Sequence, residues 1–187
     1  MVTRIQPRLQ TGASLIEVLV AMVIIAFGLL GMAGLQSRLQ VSEMEAYQRA
    51  QALVLLNDMA SRLATNRSAA TAYAGTAITP TSDCAGDYGG TTALAIDRRE
   101  WCNALQGAGE TSGANKLGAV IGARGCIASL GNREYMVTVA WQGMVPISAP
   151  PASVTCGAGA YDVGNPGCTG DLCRRYVTTI VRLASLL

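Results

Sequence analysis

The longest apolar stretch of the chain lies near its N-terminus. Residues 18–35, VLVAMVIIAFGLLGMAGL, contain no charged or strongly polar side chain. As a helix with about 1.5 Å per residue, this stretch would be roughly 27 Å long, close to the hydrocarbon thickness of a bilayer. The pattern therefore predicts a membrane-spanning helix.

From residue 36 onward, the pattern becomes that of an amphipathic helix. No Gly or Pro occurs in residues 36–74, and good helix formers dominate. Two pairs of opposite charges, Glu45 with Arg49 and Asp58 with Arg62, have the favourable i,i+4 spacing. Apolar residues recur at steps of three, four or seven and predict one buried stripe: Leu35, Leu39, Ala46, Ala50, Leu53, Leu56, Ala60 and Leu63.

Together the two patterns predict one helix from about Ser14 to about Asn66. Its segment 13–35 would cross a membrane, and its segment 36–66 would continue as an amphipathic helix. A helix of this length in a small protein must be held by a membrane, a partner or a domain packed on part of it.

The remaining residues, 67–187, predict a separate globular domain. They are rich in Gly, Thr, Ser and Ala and hold five of the six prolines. A short amphipathic helix is expected over residues 92–106, where Leu94, Arg98, Trp101 and Leu105 share one side. Strands are expected over 124–130, 134–142 and 174–183, the last two as antiparallel partners. The fold class is therefore α+β, with a loop over 143–173 long enough to be functional or cross-linked.

Composition excludes several classes of function. Of the 187 residues, 50% are hydrophobic and 14% are charged, which is too apolar for a disordered chain and too neutral for a nucleic-acid binder. The chain has no histidine, so Ser-His-Asp, Cys-His and HExxH chemistry is absent. Paired carboxylates placed for acid–base work are not evident. We expect neither an enzyme nor a cofactor or metal site.

The residues before the apolar stretch predict its orientation. Residues 1–12 carry Arg4 and Arg8 and no acid, which places the N-terminus in the cytoplasm and the rest outside. A cleaved secretory signal is the alternative, but its apolar region is typically about 7 to 15 residues long. Here the apolar helix continues further.

One carboxylate interrupts this pattern. Glu17 directly precedes the apolar stretch and stands at the fifth place after Gly12. A charge at the centre of a bilayer costs about 3 kcal/mol or more, although a place near the cytoplasmic end lowers this cost through snorkelling. An interfacial acid without a function is therefore the alternative interpretation. The basic leader, the glycine, the glutamate and the long apolar helix together favour a functional signal.

This string resembles the class III signal of type IV pilins and pseudopilins. The resemblance implies that residues 1–12 are a leader, which a prepilin peptidase removes by cutting between Gly12 and Ala13. It also implies that the new amino terminus at Ala13, where most members have Phe or Met, is methylated. In a growing filament, the amine of one subunit would pair with Glu17 of a neighbour, so that both charges are neutralised in an apolar core.

A narrower resemblance covers the apolar helix and about half of the globular domain. Segments LIEVLVAMVIIAFGLLGMAGLQ, YMVTVAWQ and CRRYVTTIVRL, with the helix that carries Trp101, together resemble the PilV-type minor pilins. This implies the pilin fold and a minor component of a type IV pilus that primes assembly or sits at the tip, with roles in adhesion or twitching motility. The implied location is the inner membrane before assembly, with the globular domain in the periplasm, and then the extracellular pilus.

The implied partners are the prepilin peptidase, other minor pilins, the major pilin and the inner-membrane assembly platform, with no nucleic acid. Two other functions stay open. One is a minor pseudopilin of a type II secretion system, and the other is a membrane-anchored extracytoplasmic binding module or enzyme.

Three glycines, Gly28, Gly31 and Gly34, interrupt the apolar stretch at three-residue steps. They fit close helix packing or glycines tolerated in a membrane. They also fit a segment that unwinds when the subunit moves from the bilayer into a filament. Gly34 lies about where major pilins have a proline.

All six cysteines lie in the globular segment: Cys84, Cys102, Cys126, Cys156, Cys168 and Cys173. In an exported domain they predict three disulfides. We expect Cys84 to pair with Cys102, and Cys156 to pair with either Cys168 or Cys173. Metal binding by the last three cysteines is disfavoured, because the spacing lacks the paired CxxC of a zinc ribbon and no histidine can complete a site.

Overall fold

A computed structural model of the chain describes residues 14–113, 115–116, 120–164 and 166–184. The chain divides into two compact units, one up to Glu43 and one from Met44. The proposed leader, residues 1–12, and the proposed mature N-terminus, Ala13, lie outside the described residues.

Helix α1 extends from Leu15 to Thr65, which confirms the helix predicted from about Ser14 to about Asn66. Its residues up to Glu43, with Ser14 before them, make up the described part of the first unit. The residues from Met44 onward belong to the second unit, where they form part of its core.

The second unit combines short helices with two sheets. After a 3-10 turn at Arg67–Ala69 come α2, β1, α3, β2, β3, β4, β5, a 3-10 turn at Pro166–Cys168, and β6. Their bounds are α2 Ala70–Tyr73, β1 Ala77–Ile78, α3 Ala93–Leu105, β2 Thr111–Ser112, β3 Asn115–Lys116, β4 Arg124–Gly131, β5 Glu134–Gln142 and β6 Arg174–Arg182. Strands β1-β4-β5-β6 form one antiparallel sheet in that order, and β2 pairs with β3. This is the predicted α+β, pilin-like architecture.

Strands β4, β5 and β6 form an antiparallel meander. Asn132 and Arg133 connect β4 to β5 with φ values of 47° and 59°, as a two-residue hairpin turn requires. β5 pairs with β6 without a register shift, so that Val139 lies opposite Val177. The predicted antiparallel pairing of these two strands is confirmed.

The core lies between α1, α3 and the sheet. Side chains of α1 contribute Ala52, Leu56, Met59 and Leu63 to the same buried cluster as Trp101, Tyr135, Val137 and Val139. The predicted apolar stripe was partly wrong, since Leu53 is 41% exposed and Ala46 and Ala50 are also exposed. The buried side follows the steps 52, 56, 59 and 63, which continue one helical face toward the domain.

Helix α3 begins at a side-chain cap, where the Thr92 hydroxyl accepts a hydrogen bond from the Ala95 amide at 3.2 Å. At its other end, Gly107 has a φ of 71°, a conformation that favours glycine. Trp101 is fully buried, and its indole N–H donates to the Leu55 carbonyl at 2.9 Å. α3 is thereby tied to the second-unit part of α1.

Ion pairs of Arg62 also connect α1 to α3. Its guanidinium pairs with Asp58 at 3.0 Å, Asp97 at 3.0 Å and Glu100 at 2.6 Å, so the predicted Asp58–Arg62 pair is confirmed. Burial alone would lower the pKa of Arg62, but hydrogen bonds to the three carboxylates outweigh burial and raise this pKa above its ordinary value. The hydroxyl of Tyr73 donates to Asp97 and accepts from the Asn66 amide.

The six cysteines form three disulfides: Cys84–Cys102, Cys126–Cys156 and Cys168–Cys173. The first agrees with the expected pairing. The expected pairing of Cys156 with Cys168 or Cys173 is wrong. The reason lies in the sheet, because the 143–173 loop crosses back over β4 and brings Cys156 next to Cys126.

Candidate assembly interface

The first turn of α1 fixes the place of Glu17. The Ser14 carbonyl accepts hydrogen bonds from the amides of Glu17 at 2.9 Å and Val18 at 3.2 Å, which closes the first helical turn. A carboxylate in this turn is favoured by the unpaired amides and the positive end of the helix dipole. Gly12 and Ala13, the predicted cleavage and methylation site, lie outside the described residues.

The apolar residues that follow Glu17 are exposed. Phe27 is 70% exposed and Leu30 is 69% exposed, and no residue from 14 to 40 is buried within the described chain. Among the described residues, α1 is the one helix long and apolar enough to cross a membrane. An apolar surface of this extent in water would be a strong association site, so lipid or other apolar helices must cover it.

Gly28, Gly31 and Gly34 lie in regular helix. A β-carbon added at any of them would meet no heavy atom within 4 Å, so nothing in the described chain requires glycine there. Their three-residue spacing places them on one broad side of α1, where their lack of a side chain permits the close approach of another helix. Unwinding at these glycines stays a prediction.

The described residues of the second unit contain no group of three or more Cys, Asp or Glu side chains placed to hold a metal ion. A groove lies beside the edge strand β6. This groove has a volume of about 780 Å³ and lies between α1, β6 and the segment 147–151. We call it the β6 groove.

The charges at the β6 groove differ from those that spacing predicts. Glu45 does not pair with Arg49, its i,i+4 neighbour; its carboxylate bonds Arg175 at 3.2 Å and the Met144 amide at 2.6 Å. Arg175 lies 130 residues further along the chain, so sequence spacing could not predict this contact. Spacing within one helix carries no information about such a partner.

The sequence from residue 7 to residue 33 matches the family model of the prokaryotic N-terminal methylation motif. This is the class III signal of type IV pilins and type II pseudopilins in general. It implies processing by a prepilin peptidase and assembly with other pilins in a membrane machinery. The motif is common to the class and does not distinguish among its members.

No curated protein and no solved structure is significantly similar to the chain. The kind of protein is therefore indicated by the motif at residues 7–33 together with the observed fold. The motif is one that pilins and pseudopilins share, and the chain combines it with an N-terminal apolar helix and a disulfide-linked α+β domain.

Proposed function

We propose that this chain is a minor pilin of a type IV pilus. The observation that carries the proposal is the methylation motif at residues 7–33, joined to an apolar helix whose side chains are exposed. A helix of this kind can exchange lipid for neighbouring helices at little cost, because both are apolar surroundings. The minor role, and the narrower PilV type, rest on the resemblance of segments such as YMVTVAWQ and CRRYVTTIVRL.

The mechanism follows from charge. Cleavage after Gly12 frees the α-amine of Ala13, which is then methylated, four residues from Glu17. In the bilayer both charges stay near the cytoplasmic surface. In the filament, the amine of one subunit pairs with Glu17 of its neighbour, because two opposite charges entering an apolar core are far less costly together than apart.

Location and partners follow from the same proposal. Before assembly, the chain is held in the inner membrane with its N-terminus in the cytoplasm and residues 67–187 in the periplasm; afterwards it is part of the extracellular pilus. It acts by packing and not as an enzyme, with the prepilin peptidase, other minor pilins, the major pilin and the inner-membrane assembly platform as partners. It primes filament assembly or sits at the filament tip. Its further roles would be in adhesion or twitching motility.

The test is to purify sheared filaments and measure the mass of this chain in them. The expected result is a chain that lacks residues 1–12 and carries one N-methyl group. Absence of the chain from filaments would contradict the pilin role. An intact leader on the assembled chain would contradict the proposed processing.

A second function, a minor pseudopilin of a type II secretion system, is supported by the same motif. Deletion of the chain separates the two. Loss of pili supports the minor pilin, whereas intact pili with blocked secretion of exoproteins supports the pseudopilin. A membrane-anchored binding module or enzyme predicts neither phenotype and needs no cleavage after Gly12.

A further inference from the structure

The open edge of the main sheet is a second place where the chain can meet a partner. β6 is the last strand of the order β1-β4-β5-β6, so among the described residues only β5 pairs with it. The Gly143 amide donates to the Cys173 carbonyl at 2.7 Å. Because an antiparallel ladder alternates, the odd-numbered residues of β6 then bond to β5, while the backbone groups of Tyr176, Thr178 and Ile180 point to the open side.

These outward groups have no backbone partner within the described chain. Soluble proteins usually protect such an edge with a proline, a bulge, a lysine or a covering loop. β6 is nine residues long, pairs with β5 without a register shift and contains no proline or glycine. Its charged residues, Arg174, Arg175 and Arg182, lie at its two ends, so residues 176–181 carry no charge. The edge is therefore suited to accept a further strand.

The β6 groove lies along the first half of this edge. Its floor is formed by Arg174–Thr178 and Trp141. One wall is the face of α1 with Glu45, Ala46, Arg49 and Leu53, and the other wall is the segment 147–151. An extended chain placed beside β6 would thus be covered on both faces, by a helix on one side and by Ile147, Pro150 and Pro151 on the other.

The charges that line the β6 groove indicate the kind of occupant. Three arginines and one glutamate line the groove, and that glutamate, Glu45, already pairs with Arg175. Arg174 pairs with Asp171 at 3.0 Å. Arg49 is exposed and, among the described residues, forms no ion pair. The groove therefore has an excess of positive charge beside an apolar wall.

We propose that the β6 groove binds an extended, acidic segment of a partner protein, which adds to β6 as a fifth strand and places a carboxylate next to Arg49. Backbone hydrogen bonds to Tyr176, Thr178 and Ile180 supply affinity, and the arginine supplies the preference for an acid. The inference concerns the second unit alone and does not rest on the proposed minor-pilin function.

The test uses the full chain in detergent micelles and two capped seven-residue peptides of alternating valine and threonine. One peptide carries two glutamates at one end, and the other carries two lysines at the same positions. Amide hydrogen exchange of β6 is measured with each. The expected result is that the acidic peptide slows exchange at Tyr176, Thr178 and Ile180, whereas the lysine peptide does not at the same concentration.

Three results would overturn the proposal. The first is no protection by the acidic peptide at millimolar concentration, and the second is equal protection by both peptides. The third is protection of the same amides without peptide that rises with protein concentration, because the occupant would then be a second copy of this chain.

Two variants sharpen the test. Arg49→Glu should weaken binding of the acidic peptide about tenfold and improve binding of the lysine peptide, because it reverses the one unpaired charge. The matched control is Arg67→Glu, which makes the same change at an exposed site outside the groove and should leave both affinities unchanged. Unchanged affinities in Arg49→Glu would contradict the acidic preference.

Thr178→Pro removes one outward N–H without removing a backbone bond to β5, and it should abolish peptide protection of the edge. It also removes the hydrogen bonds from the Thr178 hydroxyl to β5, at the Thr138 hydroxyl and the Val137 carbonyl, so Thr178→Ala, which removes only these, is the control and should keep the protection. The circular dichroism and the three disulfides of Thr178→Pro must match those of the parent chain. If Thr178→Pro does not fold, the Arg49→Glu comparison still decides the question.

Discussion

The indole ring of Trp101 lies so close to the backbone of Gly125 that a β-carbon on this glycine would be 2.5 Å from the ring atom Cη2. The same β-carbon would be 2.5 Å from Cδ1 of Leu105. Trp101 also donates a hydrogen bond to the Leu55 carbonyl. A glycine on β4 thus permits the contact by which α3 reaches both the sheet and α1.

Substitution of Gly125 by alanine should therefore destabilise the second unit. We expect a loss of about 1–3 kcal/mol in the free energy of unfolding, because the ring and Leu105 sit in a packed core that cannot yield freely. Urea unfolding of the full chain in micelles, followed by tryptophan fluorescence, measures this loss. The control is Gly109→Ala, since a β-carbon there meets nothing within 4 Å. Equal effects of the two substitutions would contradict the close contact.

Glu17→Ala should separate membrane insertion from assembly. Insertion should be unchanged or improved, because a charge is removed from the start of an apolar helix. Incorporation into sheared filaments should fall at least tenfold, since the amine of the neighbouring subunit would lose its partner. Immunoblots of membrane and filament fractions measure both. Glu43→Ala makes the same change on the same helix outside the apolar stretch and should assemble normally.

A bulky residue at position 12 should block processing. Gly12→Phe adds a side chain directly before the expected cut, and the chain should keep the mass of residues 1–12 in cells that contain the peptidase. Intact-mass measurement of the membrane fraction checks this. Gly34→Phe, a glycine change beyond the cut, should leave cleavage intact. Normal cleavage of Gly12→Phe would argue for the anchored-module function.

The disulfides Cys126–Cys156 and Cys168–Cys173 should contribute unequally to the stability of the fold. Cys126 and Cys156 are 30 residues apart, whereas Cys168 and Cys173 are 5 apart. Because a longer closed loop restricts the unfolded chain more, replacing the first pair by alanines should cost about 3–4 kcal/mol and replacing the second about 2 kcal/mol. Urea unfolding under non-reducing conditions compares them. The reverse order would show that native packing, not loop entropy, decides the contribution.

Tyr73 should make the fold sensitive to alkaline pH. Burial, with the hydrogen bond to Asp97, raises the pKa of Tyr73 from 10.0 to about 12. Since the folded state holds the phenolic proton more tightly, this contribution to stability is complete below pH 10 and is lost as pH rises through about 12. Tyr73→Phe should lower stability by about 1 kcal/mol at neutral pH and reduce its decline above pH 10.

Unfolding curves at pH 8 and pH 11 measure both effects of Tyr73→Phe. Tyr47→Phe is the control, because Tyr47 is exposed on α1. An unchanged pH dependence in Tyr73→Phe would show that other groups govern alkaline unfolding.

Local sequence patterns were sufficient for the two longer helices and the three longer strands, but not for the short elements α2, β1, β2 and β3. The bounds of α1 differ from the prediction by one residue at each end, and β5 has the predicted bounds. Helical composition, a threonine cap before Ala93 and strict alternation in the strands act over a few residues, so a single sequence reveals them.

Contacts between distant segments could not be predicted in this way. The Cys126–Cys156 pair depends on where the 143–173 loop crosses β4, and the Glu45–Arg175 pair depends on the strand order. The open edge of β6 likewise exists only because β6 is last in the sheet. Each of these features requires the tertiary arrangement, which spacing along the chain does not specify.

The three disulfides close rings that follow one another along the chain and never overlap. The first cysteine bonds the second, the third bonds the fourth, and the fifth bonds the sixth. A domain that follows a membrane helix with a cytoplasmic N-terminus crosses the membrane starting at the end next to that helix, so its cysteines emerge in this same order. If the domain is exported as we propose, oxidation of each cysteine with the next one to emerge gives the native set, and no disulfide isomerase is needed to correct the pairing.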